Sequence, residues 1–113
     1  MWRSAYWKTR NSLALLLAFC LSSVHAATPE LELVLRNHLF FPDTLEIPAN
    51  TKIRLLVDNQ DDTPEEFESY EMNREKVIPG KTRTVIFIGP LPPGEYPFFG
   101  EFYAKTAQGK VIA

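Results

Sequence analysis

The feature that most constrains this chain is a series of short segments in which apolar residues recur at every second position. Such segments occupy residues 31–36, 53–58 and 82–88. A period of two places successive side chains on opposite faces of an extended strand, so that one face can enter a core. No segment of helical length carries an apolar stripe at a 3.6-residue spacing, and residues 65–76 are expected to hold at most a helical turn. The pattern predicts an all-β protein.

Proline, glycine and asparagine divide these segments at the places where turns are needed. Pro48-Ala49-Asn50 lies between two candidate strands, and asparagine tolerates a left-handed turn position better than most residues. Pro79-Gly80 precedes a strand, and Pro92-Pro93-Gly94 joins two more. Several short strands at this spacing are typical of an antiparallel sandwich or barrel. No internal repeat or second domain is evident.

The first 26 residues have the composition of a secretory signal peptide. Three basic residues are followed by an uncharged apolar run over residues 13–21 and by the small residues around Ala26. The apolar run is shorter than the roughly 20 residues that a membrane-spanning helix needs. We therefore expect export, cleavage after Ala26, and a mature domain over residues 27–113 that is not embedded in a membrane.

Removal of this leader changes the chemistry that the chain can carry. Cys20 lies within the leader, and the mature domain keeps one histidine, His38, and one methionine, Met72. Three basic residues are also removed, which leaves nine basic against 14 acidic residues and a net charge of −5. An acidic domain lacks the basic surface that phosphate recognition requires, so nucleic-acid binding is not expected. A disulfide within the mature domain is excluded.

The order of the segments resembles the cupredoxin family. The resemblance covers nearly all of residues 31–113. Its motifs are Phe41–Thr51, Leu55–Asp61, the two Pro-Gly turns in Ile78–Thr82 and Leu91–Phe98, and the closing strand Gly109–Ile112. It implies a cupredoxin-like antiparallel Greek-key β-sandwich.

The same resemblance assigns the four positions that hold copper in blue-copper cupredoxins. In this chain they are occupied by Glu65, Gly100, Tyr103 and Gln108. Type-1 copper depends on a cysteine thiolate, and the mature domain has none. The residues therefore exclude a type-1 copper electron carrier.

An acidic segment replaces the soft copper ligands. Residues 58–75 contain eight acidic residues and a single basic one, Arg74. If the segment is a strand, Glu66 and Glu68 project on the same side. Carboxylates suit iron(II), manganese, calcium or magnesium, whereas the thioether of Met72 suits copper. The cupredoxin fold would also bring Glu101 toward this segment. The candidate metal ligands are Glu65, Glu66, Glu68, Met72 and Glu101.

A narrower resemblance points to iron. Glu66-Phe67-Glu68, the segment Arg74–Gly80 and the segment Phe98–Phe102 resemble EfeO/FtrB-type cupredoxin domains, although the two cysteines of the EfeO pattern are missing. This resemblance implies a periplasmic protein of ferrous-iron uptake that binds iron or copper. The implied partners are a periplasmic iron-binding protein and an inner-membrane iron permease.

The residues alone leave other interpretations open. The acidic segment is also compatible with a solvated loop, and a lone methionine is commonly a core residue. A ferroxidase would need oxygen or a redox metal at an open coordination position. A metal-free interaction protein would use exposed aromatic residues instead, for which the candidates are Phe99, Phe102 and Tyr103.

Overall fold

The computed structural model describes residues 27–113, so the predicted leader, its cleavage site and Cys20 lie outside the described residues. Nine β-strands and no helix are present in this part of the chain. They are β1 (Glu30–Arg36), β2 (Leu39–Phe41), β3 (Thr44–Glu46), β4 (Ile53–Asn59), β5 (Glu65–Ser69), β6 (Arg74–Ile78), β7 (Thr82–Ile88), β8 (Glu95–Gly100) and β9 (Gln108–Ile112). The all-β prediction is confirmed.

The strands form two sheets that enclose one core. A four-stranded sheet has the order β2-β1-β4-β7, and a five-stranded sheet has the order β3-β9-β8-β5-β6. The β1–β4 and β3–β9 pairs are parallel, and the other pairs are antiparallel. The predicted sandwich is therefore present, but its sheets are mixed rather than wholly antiparallel. The two parallel pairs join strands that are not neighbours in the sequence, which local alternation alone does not reveal.

The core lies between the sheets and is built from the alternating residues. Three phenylalanines lie at its centre: the ring of Phe98 packs 5.1 Å from that of Phe67 and 5.2 Å from that of Phe40. Aromatic pairs at these separations add to the stabilisation from buried area. Phe67 belongs to β5 and Phe98 to β8, so these contacts hold two neighbouring strands of the five-stranded sheet against the core. The other fully buried apolar residues include Leu33, Leu35, Ile53, Leu55, Val57, Ile78, Ile88 and Val111.

The acidic segment forms a hairpin rather than the helical turn expected within residues 65–76. Strands β5 and β6 pair antiparallel, and residues 70–73 connect them. Asn73 adopts φ = 52°, a left-handed conformation that suits asparagine in a turn. Burial alternates along β5, with Phe67 in the core and its two neighbours partly exposed. This alternation explains why a highly charged segment is a strand.

No helix in the part of the chain described here is long and apolar enough to cross a membrane.

Candidate metal centre

Glu66 and Glu68 project from the outer face of the five-stranded sheet. They flank Phe67 on β5, and because Phe67 is fully buried, both glutamates must point away from the core. Both side chains are partly exposed. The prediction that they lie on one side of a strand is confirmed by this alternation.

Glu75 on β6 joins them across the hairpin. The strand register places Glu75 directly opposite Glu68. Carboxylate oxygens of Glu66, Glu68 and Glu75 all lie within 4.8 Å of one another. Two oxygens that bind one ion at metal–oxygen distances of about 2.1 to 2.5 Å can be at most about 4.2 to 5 Å apart. The three carboxylates can therefore contact one cation from one side and leave its other side open to solvent.

Glu101 approaches the same group from the segment that follows β8. Its backbone N–H donates to the carbonyl oxygen of Glu66 at 2.9 Å. Its carboxyl group is one of the causes of the raised pKa of Glu68, so the two side chains lie close together. The expectation that the fold brings Glu101 to the acidic segment agrees with this placement. We call Glu66, Glu68, Glu75 and Glu101 the carboxylate cluster.

The cluster perturbs the titration of its own members. A hydrogen bond with Glu75, followed by desolvation and the charges of Glu75, Glu68 and Glu101, raises the pKa of Glu66 from 4.5 to about 7. Desolvation, followed by the hydrogen bond and charge of Glu101, raises the pKa of Glu68. The charge of Glu68 is the largest cause of a raised pKa at Tyr70. Like charges held this close favour proton uptake or cation binding.

Basic side chains do not relieve this repulsion. Among residues 27–113, no ion pair includes a member of the carboxylate cluster. Arg74, which precedes Glu75 in the sequence, instead donates to the carbonyl oxygens of Phe87, Met72 and Asn73. A cavity of about 290 Å³ adjoins the cluster and is lined by Glu68, Ser69, Tyr70, Asn73, Arg74 and Glu75. The cluster is thus accessible to a small ion.

Glu65, also proposed as a ligand, lies on the opposite side of β5. Its side chain is 1% exposed. Oxygen Oε1 accepts hydrogen bonds from the backbone N–H groups of Glu66, at 2.8 Å, and Phe102, at 2.9 Å. Glu65 therefore faces the interior and is not brought into the carboxylate cluster.

Met72 is likewise separated from the cluster. It lies in the turn between β5 and β6, is 5% exposed, and belongs to the hydrophobic core. Its backbone N–H donates to Oγ of Ser69 at 3.1 Å. Its thioether packs with apolar residues, which is the ordinary role of a lone methionine.

The remaining positions assigned to copper ligands do not fit type-1 copper. Gly100 has no side chain, and the ring of Tyr103 stacks on that of His38 with centroids 3.5 Å apart. Gln108 is exposed, and its Nε2 donates to the carbonyl oxygen of Ala104. With a buried carboxylate at Glu65 as the fourth group, the set offers no thiolate and no imidazole.

The fold and the sequence together identify the family. A family model described as a cupredoxin-like domain matches residues 10–113. The chain belongs to the cupredoxin-like domain family. An uncharacterized protein of Rickettsia prowazekii (strain Madrid E) is 45% identical over 83 residues, which are 74% of this chain and 66% of that protein. The chain thus spans just under two thirds of the length of this curated relative.

Solved structures confirm the cupredoxin fold. Auracyanin A, a blue copper protein from Chloroflexus aurantiacus, matches with a TM-score of 0.65 and 9% identity, covering 76% of this chain and 98% of that one. A copper binding protein solved by NMR in the apo form matches with a TM-score of 0.64 and 19% identity, and the match covers 74% of this chain and 84% of that one. At these identities the likeness concerns the scaffold alone. This cupredoxin-like domain keeps the scaffold and carries a different set of side chains at the copper positions.

Glu75 was not among the ligands proposed from the sequence. It belongs to the same acidic segment, but its place opposite Glu68 depends on the hairpin register. A signal was available: a four-residue turn over residues 70–73, closed by Asn73, pairs Ser69 with Arg74 and therefore Glu68 with Glu75.

Proposed function

We propose that this cupredoxin-like protein binds a hard divalent cation, iron(II) in the first place, at the carboxylate cluster. The observation that supports the proposal is the convergence of Glu66, Glu68 and Glu75 within 4.8 Å with no basic partner among the described residues. Three negative groups at this separation repel one another, and a divalent cation between them converts that repulsion into attraction.

The donor atoms favour iron(II) or manganese(II) over copper(I). Each group in the cluster offers carboxylate oxygen, whereas copper(I) prefers thiolate or thioether sulfur. The one methionine of the described domain lies in the core, away from the cluster. A site of this kind takes a ferrous ion without requiring a change in its oxidation state.

The biological setting that we propose is ferrous-iron uptake. The predicted leader supports export to the periplasm, and the Glu66-Phe67-Glu68 motif resembles that of EfeO/FtrB-type domains. The partial exposure of Glu66 and Glu68 and the exposure of Glu75 suit an accessory protein that transfers an ion to another protein. The partners in this proposal are a periplasmic iron-binding protein and an inner-membrane iron permease.

Anaerobic titration of the purified protein with iron(II), followed by calorimetry, tests this function. We expect one ion to bind well below millimolar concentration, and binding to weaken at least tenfold in Glu66→Gln, Glu68→Gln and Glu75→Gln. Glu71→Gln is the matched control, because Glu71 is an exposed acid of the same hairpin turn outside the cluster. Wild-type protein that binds neither iron(II) nor manganese(II) below millimolar concentration would overturn the proposal.

The same titration separates copper from iron and binding from catalysis. Tighter binding of copper(I) than of iron(II) would contradict the hard-ion assignment. In air, oxidation of iron(II) above the buffer rate that disappears in Glu68→Gln would instead identify a ferroxidase.

A further inference from the structure

We propose that Glu65 is the positioning residue of the carboxylate cluster: it holds Glu66 and Glu101 in register from inside the sandwich without touching the bound ion. This inference rests on the proposed metal-binding function. The carboxyl group of Glu65 is buried but does not stabilise the core as an apolar group would. It also points away from the cluster, and the inference gives it a role.

The first argument is the pair of hydrogen bonds that a single oxygen accepts. Oε1 of Glu65 receives the N–H of Glu66 from its own strand and the N–H of Phe102 from the segment after β8. A carboxyl oxygen has two lone pairs, and both donors can be accommodated on this one atom. The two donors are the backbone neighbours of the cluster: Glu66 is itself a member, and Phe102 follows Glu101.

The second argument is that this carboxylate completes a short ladder between the two segments. The pairing of β5 with β8 places Phe67 opposite Gly100, and the N–H of Glu101 donates to the carbonyl oxygen of Glu66 at 2.9 Å. The bond from Phe102 to Glu65 extends this pairing to the second residue after the end of β8. Hydrogen bonds from the N–H groups of Glu101 and Phe102 thus hold the backbone around residue 101, which limits where its side chain can point.

The third argument is that the chain makes room for Glu65 at Gly100. A Cβ atom on residue 100 would overlap the Cδ atom of Glu65 and would lie 2.5 Å from its Oε2 and 2.8 Å from the Cβ of Ala107. A buried carboxyl at residue 65 and a side chain at residue 100 therefore exclude each other. These are two of the positions that hold copper ligands in blue-copper cupredoxins, so the buried carboxyl occupies space that a cysteine at residue 100 would need.

The hydrogen bonds of Oε1 offset part of the cost of burying Glu65, whereas Oε2 is buried without a hydrogen-bond partner among the described residues. A carboxyl group that is 1% exposed is costly to bury unless its hydrogen bonds compensate. An apolar residue at position 65 would fill the same space but would leave the N–H of Phe102 without this acceptor. The acceptor, rather than the volume, is what the cluster requires.

Amide hydrogen exchange and metal titration, carried out on the same variants, test the proposal. In Glu65→Ala we expect the amide hydrogens of Glu101 and Phe102 to exchange at least tenfold faster in metal-free protein. We also expect manganese(II), measured by its EPR signal, to bind about 10- to 100-fold more weakly, the range found when a group that orients a metal ligand is removed. Glu65→Gln keeps Oε1 as an acceptor and should stay within about threefold of the wild type in both measurements.

Two further variants separate positioning from general stability. Leu55→Ala also removes a fully buried side chain, but from the other sheet, and should lower stability while leaving manganese(II) affinity within about twofold. Glu65→Asp keeps the carboxyl group and shortens its reach by one methylene. It should weaken the bond to Phe102 and the affinity together, and it provides the test if Glu65→Ala does not fold.

The outcomes distinguish this inference from the proposed function. Unchanged exchange at Glu101 and Phe102 in folded Glu65→Ala or Glu65→Asp overturns the positioning role. Faster exchange with unchanged manganese(II) affinity also overturns it, because the hydrogen bonds would then be structural only. If the wild type binds no metal, the proposed function fails and the positioning role toward a metal fails with it; the exchange data would still report whether Glu65 joins the two segments.

Discussion

Glu68 on β5 lies directly opposite Glu75 on β6, so two like charges occupy one cross-strand pair. Like charges directly opposite each other destabilise a sheet, and oppositely charged pairs stabilise it. The sandwich therefore tolerates a local cost at this position. The repulsion between Glu68 and Glu75 occurs at an accessible surface beside Glu66 and Glu101. Unfavourable electrostatics of this kind are typical of a binding site whose ligand neutralises the charge.

Glu75→Lys should separate stability from binding. The substitution replaces a repulsive pair with an attractive one, so we expect the metal-free protein to unfold at a higher urea concentration and to lose iron(II) binding. Glu75→Gln removes the repulsion without adding attraction and should fall between the two in stability. A urea series on the three proteins gives the order, and a Glu75→Lys protein less stable than the wild type would contradict it.

The stability of the metal-free protein should decrease as the pH rises from about 4.5 to 7. The raised pKa of Glu66 means that the folded protein binds more protons than the unfolded chain in this interval. The free energy of unfolding must then fall with increasing pH, because the slope follows the difference in bound protons. The raised pKa of Glu68 acts in the same direction.

Urea unfolding at pH 5 and at pH 7.5 measures this effect, with Glu66→Gln as the variant in which the Glu66 contribution is absent. We expect the difference between the two pH values to shrink in Glu66→Gln. An equal difference in both proteins would show that Glu66 does not carry the linkage.

Metal affinity should change with pH in the opposite direction. Protons and the cation compete for the same carboxylates, so affinity for iron(II) should weaken as the pH falls below about 7, the pKa of Glu66. Calorimetry in two buffers with different ionisation enthalpies counts the protons that are released on binding. Release should be measurable at pH 6 and should disappear at pH 8.5, and an absence of release at pH 6 would contradict the prediction.

Phe67→Ala should destabilise the whole sandwich rather than the cluster alone. Phe67 is fully buried, stacks on Phe98, and lies between the two cluster residues of β5. The loss of a buried phenylalanine costs about 3 to 5 kcal/mol. Thermal or urea unfolding measures the loss. Phe102→Ala is the control, because the side chain of Phe102 is 49% exposed and its removal should have a much smaller effect.

Much of the architecture could be predicted from local patterns. Alternation along residues 53–58 predicts β4 with the correct buried face, and alternation along residues 82–88 predicts β7. The same rule places Glu66 and Glu68 together. The rule also assigns Glu65 to the opposite face from Glu66, and the structure buries it there. The prediction that Glu65 is a ligand together with Glu66 and Glu68 did not take this alternation into account.

The rest of the site depends on contacts between segments. Glu75 reaches the cluster through the register of a hairpin, and Glu101 reaches it through the pairing of β5 with β8. The burial of Met72 follows from how the turn over residues 70–73 folds back on the core, which composition does not reveal. The side-chain chemistry of the sequence indicated carboxylates as the donors. The pairing of strands determines which four glutamates form the cluster.

Strand β6 is the outermost strand of its sheet, and within that sheet it pairs with β5 alone. A strand at an edge can open locally at a lower free energy than a central strand, while the core stays folded. Opening of β6 would carry Glu75 away and leave Glu66 and Glu68 in place. The rate at which the ion dissociates would then depend on the local opening of β6. Mutations in β6 that change this opening would change the dissociation rate without contacting the metal.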